Sequence, residues 1–162
     1  MIEACHDHHK FLTHVASDRL SGAWWLLGTT GMRRGEALGL RPSDVDLEAG
    51  FLRITRTLVT TDVQRKGAPG FAWGTPKTKK GRRTVALDPA TVAALKQHQT
   101  RQLEERIALG ASYSDEDLVV CQLDGTSLHP KNLSYKFGRA AKAAGLPAIR
   151  LHDLRHTRAT HA

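Results

Sequence analysis

Five residues in this sequence have the types and spacing that could promote phosphoryl transfer. Arg33 lies where the chain enters a short predicted helix, and Glu36 follows three residues later, close enough to hold its guanidinium. Lys77 lies within a run of basic residues. His152 and Arg155 are three residues apart, which places them on one face of a helix.

Each of these basic residue types has a defined use at a phosphodiester. Guanidinium groups bind two non-bridging oxygens and neutralise the charge of the transition state. Lysine can protonate a departing alkoxide, and histidine can transfer a proton. A metal-dependent nuclease needs clustered carboxylates instead, and the sequence shows no convincing cluster. We therefore expect chemistry without a metal or other cofactor, and Mg²⁺-dependent nicking stays as the alternative.

The composition of the 162-residue chain favours a polyanionic partner. Lys and Arg number 24 against 16 Asp and Glu, a formal net charge of +8, which points first to nucleic acid. Hydrophobic residues make up 40%, too many for a disordered chain. The 2 cysteines fit a reducing cytoplasm, and no apolar run could cross a bilayer. We expect a cytoplasmic protein with no membrane partner.

Capping signals indicate several helices around these residues. Ser17 is a candidate N-cap and Gly31 a candidate helix end, because a residue just past a helix often needs positive φ. Asp88 and Pro89 begin a long helix that Gly110 ends. The predicted helices span 17–29, 33–40, 89–109, 130–145 and the segment from residue 152 onward, after a loosely helical N-terminal stretch.

The middle of the chain has strand-like patterning. Leu52, Ile54 and Leu58 alternate mainly with polar residues, which predicts one half-buried strand. A Gly/Pro-rich excursion follows over 66–76, and further strands are predicted at 82–87 and 118–121. A basic hairpin is expected at 77–81. The predicted fold class is α+β: mostly α with a small antiparallel β-sheet.

Three segments resemble motifs of the tyrosine recombinase (phage integrase) family, in the family's order. TGMRRGEAL at 30–38 resembles its first conserved box, PKTKKGRRTV at 76–85 its lysine hairpin, and HDLRHTRAT at 152–160 the start of its second box. A single His-x-x-Arg would be a weak signal, whereas three boxes at suitable spacing are specific. The resemblance implies a recombinase catalytic-domain fold and site-specific DNA recombination through a phosphotyrosyl link.

The resemblance also implies roles for the matched residues. Arg33 and Arg155 are similar to the two catalytic arginines on the scissile phosphate. Lys77 matches the general acid for the 5′ oxygen, and Lys79 is its substitute if the hairpin register shifts. His152 matches the histidine that assists proton transfer.

Further residues near the motifs are expected to support the site. Glu36 would orient Arg33, and His156 would be a structural residue buried beneath the site. Phosphate binding by the remaining basic residues of the lysine hairpin would weaken with salt. The predicted DNA-binding residues are Lys79, Lys80, Arg82 and Arg83.

One departure from the family concerns the nucleophile. In the family the second box is followed by a further His or Trp and then by the tyrosine, whereas this sequence ends at Ala162 and both Tyr113 and Tyr135 precede the box. We therefore expect one catalytic domain over 1–162, incomplete at its C-terminus and without the family's N-terminal DNA-clamping domain. We expect it to bind double-stranded DNA of attachment-site type without cleaving it. Its further expected partners are other recombinase subunits, including copies of itself.

Two alternatives remain open from the sequence. A basic DNA-binding or regulatory remnant without chemistry explains the charge and the missing nucleophile equally well. Histidine spacings also suggest zinc, but Arg155 would oppose a cation between His152 and His156, and consecutive N-terminal histidines face different directions. The N-terminal candidates for a metal cluster are Cys5, His6, His8, His9 and His14.

Overall fold

The computed structural model describes residues 2–61, 70–76 and 81–154, with side chains from residue 6 onward. Within these residues, three helices come first along the chain, five strands follow, and two further helices come last. The helices are α1 (Ile2–His14), α2 (Ser21–Thr30), α3 (Arg34–Gly39), α4 (Pro89–Leu109) and α5 (Pro130–Ala143). The strands are β1 (Val45–Asp46), β2 (Phe51–Ile54), β3 (Thr57–Thr60), β4 (Phe71–Gly74) and β5 (Arg83–Ala86).

All strand pairs are antiparallel. One sheet has the order β1-β2-β5, and β3 and β4 form a separate two-stranded ribbon. In the larger sheet Leu52 pairs with Val85, so the inward positions of β2 and β5 share one face. This architecture confirms the predicted α+β fold class.

The core is built around α2, whose residues are buried on nearly every side. Phe11 of α1, Trp24 of α2 and Phe137 of α5 form a cluster with ring centroids 5.1 to 6.2 Å apart. Such tilted and edge-to-face pairs suit the aromatic quadrupole. Within the described residues, no helix combines the length and hydropathy needed to cross a membrane.

The predicted ends of two helices are confirmed. Gly31 follows α2 with φ of 68°, a left-handed conformation that glycine adopts without steric strain. The Asp88 side chain caps α4 by accepting hydrogen bonds from the backbone N–H of Thr91 at 2.9 Å and from its hydroxyl at 2.9 Å. Pro89 occupies the first turn, where its missing N–H costs nothing.

The predicted start of α2 was wrong. Ser17 does not cap it, because residues 15–20 form turns and α2 begins only at Ser21. Asp18 organises this connection instead: its carboxylate accepts the Leu20 backbone N–H at 2.7 Å, and its backbone carbonyl accepts that of Ser21 at 3.0 Å.

The single strand predicted through Leu58 is two strands in different sheets. The chain bends at Arg56, whose Nε donates to the Gly39 carbonyl at 2.6 Å, and β3 then crosses α3. A Cβ added at Gly35 would lie 2.4 Å from the Leu58 carbonyl oxygen. The two α3 glycines therefore permit the close crossing that separates β3 from β2.

Two further predictions about the strands were wrong. The excursion predicted over 66–76 contains β4. Residues 118–121 form no strand: among them only Cys121 makes an isolated bridge, to Ser127. The basic hairpin predicted at 77–81 falls on residues 77–80, which lie outside the described part of the chain, and the strands before and after it, β4 and β5, pair with different partners.

Candidate active site

The short helix α3 fixes the position of Arg33. After the left-handed turn at Gly31, Arg33 has extended backbone dihedrals, φ −75° and ψ 151°, and precedes the first helical residue. Its backbone N–H donates to Glu36 Oε2 at 2.7 Å. This bond from the Glu36 side chain back to the start of the helix anchors the Arg33 backbone, while 61% of the Arg33 side chain stays exposed.

Glu36 is the buried carboxylate of the site, with only 3% of its side chain exposed. Arg33 Nη1 lies 3.3 Å from its Oε1, and Arg83 of β5 donates to both carboxylate oxygens at 3.0 Å. Burial alone would raise the pKa of Glu36, but the hydrogen bonds and charges of Arg83 and Arg33 outweigh it and lower that pKa. Glu36 is therefore ionised at neutral pH.

A cleft of about 660 Å³ opens beside Arg33, between α3, α5 and residues 149–152. Its floor is apolar and its rim is basic, and no lining residue that the structure describes is acidic. An apolar floor lowers the local dielectric and so strengthens the attraction of the cations for an anion. The lining residues are Leu27, Met32, Arg33, Arg34, Gly35, Ser134, Phe137, Gly138, Ile149, Arg150, Leu151 and His152.

Sequence reasoning missed two basic residues of this rim. Arg34 Nη1 donates to Ser134 Oγ at 2.8 Å, which ties α3 to α5 across the cleft. Arg150 precedes a turn in which its backbone N–H donates to Asp153 at 2.7 Å. Their only sequence signal was adjacency, since Arg34 follows Arg33 and Arg150 lies two residues before the second box.

The structure brings together part of the predicted residue set. Arg33 and His152 line the same cleft, and Glu36 contacts Arg33. Arg82 is exposed, and it lines a second groove together with Arg83. The guanidinium of Arg83 also contacts Glu36. The predicted residues that lie outside the described part of the chain are Lys77, Lys79, Lys80, Arg155 and His156.

Neither tyrosine of the sequence lines the cleft. The Tyr113 hydroxyl lies 3.8 Å from the Cys121 sulfur, and burial together with this contact raises the pKa of Tyr113 to about 12. Tyr135 is 67% exposed on α5, with the Arg139 guanidinium 6.0 Å from its ring centroid.

The N-terminal histidines are spread around α1. His6, His9 and His14 are exposed, whereas His8 is half-buried beside Gly28 of α2. Among the described residues, no group of three or more His, Cys, Asp or Glu side chains could hold a metal ion. The side chain of Cys5 lies outside the described set.

Comparison with known proteins assigns the chain to a family. The family model described as "Phage integrase family" matches residues 3–162. The chain belongs to the phage integrase family. Its relatives by sequence include proteins described as a tyrosine recombinase and as integrases.

Two relatives illustrate how much of the protein is matched. A tyrosine recombinase XerC-like protein of Caldanaerobacter subterraneus subsp. tengcongensis is 33% identical over 157 residues, 93% of this chain and 40% of the relative. A putative prophage phiRv2 integrase of Mycobacterium tuberculosis is 33% identical over 158 residues, 96% of this chain and 38% of the relative. This phage integrase chain therefore spans about two-fifths of the length of these relatives.

Solved structures share the fold. XerA recombinase superposes with a TM-score of 0.71 at 22% identity, covering 96% of this chain and 46% of that one. The Tn1549 transposon integrase, solved in complex with transposon right end DNA, gives a TM-score of 0.71 at 21% identity, covering 92% and 49%. The fold of the described residues is thus shared with solved recombinases.

Proposed function

We propose that this phage integrase chain binds duplex DNA and holds one backbone phosphate in the cleft beside Arg33, as part of a site-specific recombinase. The observation that carries the proposal is that Arg33 and His152, from motifs more than a hundred residues apart, line one basic cleft. The formal charge of +8 supports a nucleic-acid partner.

The proposed roles follow from the chemistry of each side chain. Arg33 binds the non-bridging oxygens of the phosphate, while Glu36 restricts its guanidinium, and His152 takes part in proton transfer. Lys77, or Lys79 in its place, protonates the 5′ oxygen as it leaves. We propose Arg155 as the second phosphate-binding arginine and His156 as a supporting residue, with Lys80 and Arg82 on flanking phosphates.

We further propose that these 162 residues bind DNA without cleaving it. A tyrosine nucleophile must reach the phosphorus, and neither Tyr113 nor Tyr135 lines the cleft. Burial and the contact with Cys121 also raise the pKa of Tyr113 to about 12, which disfavours the phenolate that would attack. In the complete reaction the phosphodiester would exchange its 5′ oxygen for a tyrosine oxygen, and no metal or other cofactor is invoked.

The binding proposal is tested by fluorescence anisotropy with a labelled 40-base-pair duplex. Arg33→Gln should weaken binding by roughly tenfold, because it removes a bidentate phosphate contact. Arg106→Gln makes the same change of charge far from the cleft, on an exposed residue that pairs with Asp115 at 2.8 Å. Equal affinities for wild type and Arg33→Gln would reject the proposed cleft.

The cleavage proposal needs a separate assay. The chain is incubated with supercoiled plasmid and with a nicked duplex that traps covalent intermediates, and the products are separated on denaturing gels. We expect retarded DNA on native gels and no protein–DNA adduct after denaturation. An adduct that disappears in Tyr113→Phe or Tyr135→Phe would show that a tyrosine of this chain does act as the nucleophile.

We also propose that the chain assembles with further recombinase subunits, identical copies included, when it occupies DNA. Exposed apolar side chains on α4, Leu103 at 56% and Ile107 at 72%, offer surface for such contacts. Light scattering after size exclusion, with and without the duplex, measures the assembly. A single copy per duplex at all protein concentrations would contradict the proposal.

A further inference from the structure

Arg83 makes the most extensive polar contact with the carboxylate of the site. It lies on β5, and its side chain is 31% exposed. Nη1 donates to Glu36 Oε1 and Nη2 to Glu36 Oε2, both at 3.0 Å, so that the two planar groups meet at two points. Two-point pairing fixes the plane of the carboxylate as well as its position.

Arg33 contacts the Glu36 carboxylate through both its backbone and its side chain. Its backbone N–H uses Oε2 at 2.7 Å, and its guanidinium reaches Oε1 at the longer distance of 3.3 Å. A largely exposed arginine loses considerable rotamer entropy when it is held in one pose. The position of Glu36 Oε1 therefore decides whether Arg33 stays directed toward the cleft, and Arg83 sets that position.

We propose that Arg83 is a positioning residue that orients Arg33 through Glu36 rather than a direct DNA contact. The inference rests on the proposed function, in which Arg33 binds a DNA phosphate. Direct phosphate binding by Arg83 would require its two Nη groups to leave Glu36, whose buried carboxylate would then lose its strongest partner. Arg82, the exposed neighbour, has no such constraint and stays assigned to DNA.

A double-mutant cycle tests the inference. Arg83→Lys keeps the charge but loses the two-point geometry, and Arg83→Gln loses both. Each is measured for duplex affinity in the wild-type and Arg33→Ala backgrounds, after circular dichroism has verified folding. We expect Arg83→Gln to weaken binding by roughly tenfold and Arg83→Lys by roughly threefold, and either by less than about twofold when Arg33 is absent.

Arg82→Gln is the matched comparison, one residue away and with the same change of charge. As a direct phosphate contact it should weaken binding by the same factor in both backgrounds. If Arg83 variants also weaken binding equally in both backgrounds, Arg83 contacts DNA and the inference is overturned. If Arg83→Gln does not fold, the Arg83→Lys arm carries the same comparison.

The cycle also separates this inference from the proposal beneath it. If Arg33→Ala binds the duplex as tightly as wild type, the proposed cleft itself fails, and the positioning role fails with it. If Arg33→Ala weakens binding while neither Arg83 variant does, the cleft stands and only the positioning role of Arg83 is rejected.

Discussion

Glu36 links structure and function at the scale of single residues. Its carboxylate neutralises two arginines from distant parts of the chain and caps α3 through the Arg33 backbone. A buried charge of this kind is stabilising only while its partners remain in place. Glu36, which contacts Arg33 in the cleft, is therefore also expected to be a residue on which folding depends.

We predict that Glu36→Gln lowers the free energy of unfolding by about 2 kcal/mol at pH 7, because two guanidinium groups lose their buried counter-charge. The folded-state pKa of Glu36 lies below its ordinary 4.5, so its contribution is present above pH 4.5 and is lost as the pH falls through the lower, folded value. Urea unfolding of both proteins at several pH values measures this difference.

The difference between wild type and Glu36→Gln should therefore shrink as the pH falls below 4.5. Glu48→Gln is the matched control, because Glu48 is 89% exposed and pairs with Lys96 at the surface. A Glu36→Gln protein as stable as wild type at pH 7 would show that the buried ion pairs contribute nothing net.

At this scale the sequence predicts the motif residues better than their partners. Arg33, Glu36 and His152 carried local signals, and the structure brings Arg33 to a cleft with His152 and to contact with Glu36. The pairing of Arg83 with Glu36 joins residues 47 apart and depends on the register of β5 against β2. No local pattern encodes such a contact, so the sequence alone predicts only that Arg83 belongs to the basic DNA-binding segment.

The packing of α2 against α4 is the central contact at the scale of elements. His98 of α4 is 4% exposed, and its Nε2 lies 2.7 Å from the Val119 carbonyl oxygen. Gly22 of α2 faces it so closely that an added Cβ would lie 2.5 Å from His98 Cγ. The glycine and the fixed imidazole together set the distance between the two helices.

Substituting glycines with alanine should have opposite effects in α2 and α5. Gly22→Ala is expected to destabilise the fold by about 2 kcal/mol, because the new methyl group meets a buried ring that cannot move aside. Gly138 lies in the middle of α5, and a Cβ added there would have no neighbour within 4 Å beyond its own helix. Gly138→Ala should therefore stabilise the fold by about 0.5 kcal/mol through helix propensity. Thermal unfolding of the two variants compares them, and a stabilising Gly22→Ala would contradict this description of the contact.

The same histidine should make folding sensitive to mild acid. Burial lowers the pKa of His98 from its usual 6.5, so the neutral form is favoured in the folded state. The contribution of His98 to stability is complete above pH 6.5 and declines as the pH falls toward the lower, folded pKa. The total loss is about 1.4 kcal/mol for each pKa unit that separates the unfolded and folded states. Urea unfolding between pH 7.5 and 5.5 measures the slope.

His98→Gln removes this titration and should flatten that slope. His9→Gln, on an exposed face of α1, should leave it unchanged. Equal slopes in wild type and His98→Gln would assign the acid sensitivity to another group.

Elements with strong local signals were predictable, and those decided by tertiary contacts were not. Asp88-Pro89 located the start of α4 because a cap and a proline act within one turn. β2 and β3 are separate strands because the backbone at Leu58 crosses closely over Gly35 of α3. The alternating pattern through Leu58 holds no information about that distant contact. The sequence did not predict β4, because Phe71–Gly74 lie in a Gly/Pro-rich segment and pair with the distant strand β3.

At the scale of the whole molecule, α5 carries an exposed row of basic residues next to the positions that line the cleft. A stripe on the exposed side of α5 carries Lys131, Tyr135, Arg139 and Lys142 at helical spacings of four, four and three. No acidic residue occurs in α5, whereas two basic residues of α4 are paired with acids: Lys96 with Glu48 and Arg106 with Asp115. Ser134 and Gly138, on the same helix, line the cleft.

This distribution predicts that equal changes of net charge have unequal effects on DNA binding. Replacing both Arg139 and Lys142 with Gln should weaken duplex binding by roughly tenfold at 100 mM salt and reduce the slope of log affinity against log salt by about 1.8, two phosphate contacts at 0.9 each. Replacing Lys96 and Arg106 with Gln removes the same charge from α4 and should change that slope by less than about 0.5. Anisotropy titrations from 50 to 300 mM salt measure both slopes. Equal salt slopes for the two double variants would mean that DNA affinity depends only on the net charge of the chain. The α5 stripe would then not be a DNA contact.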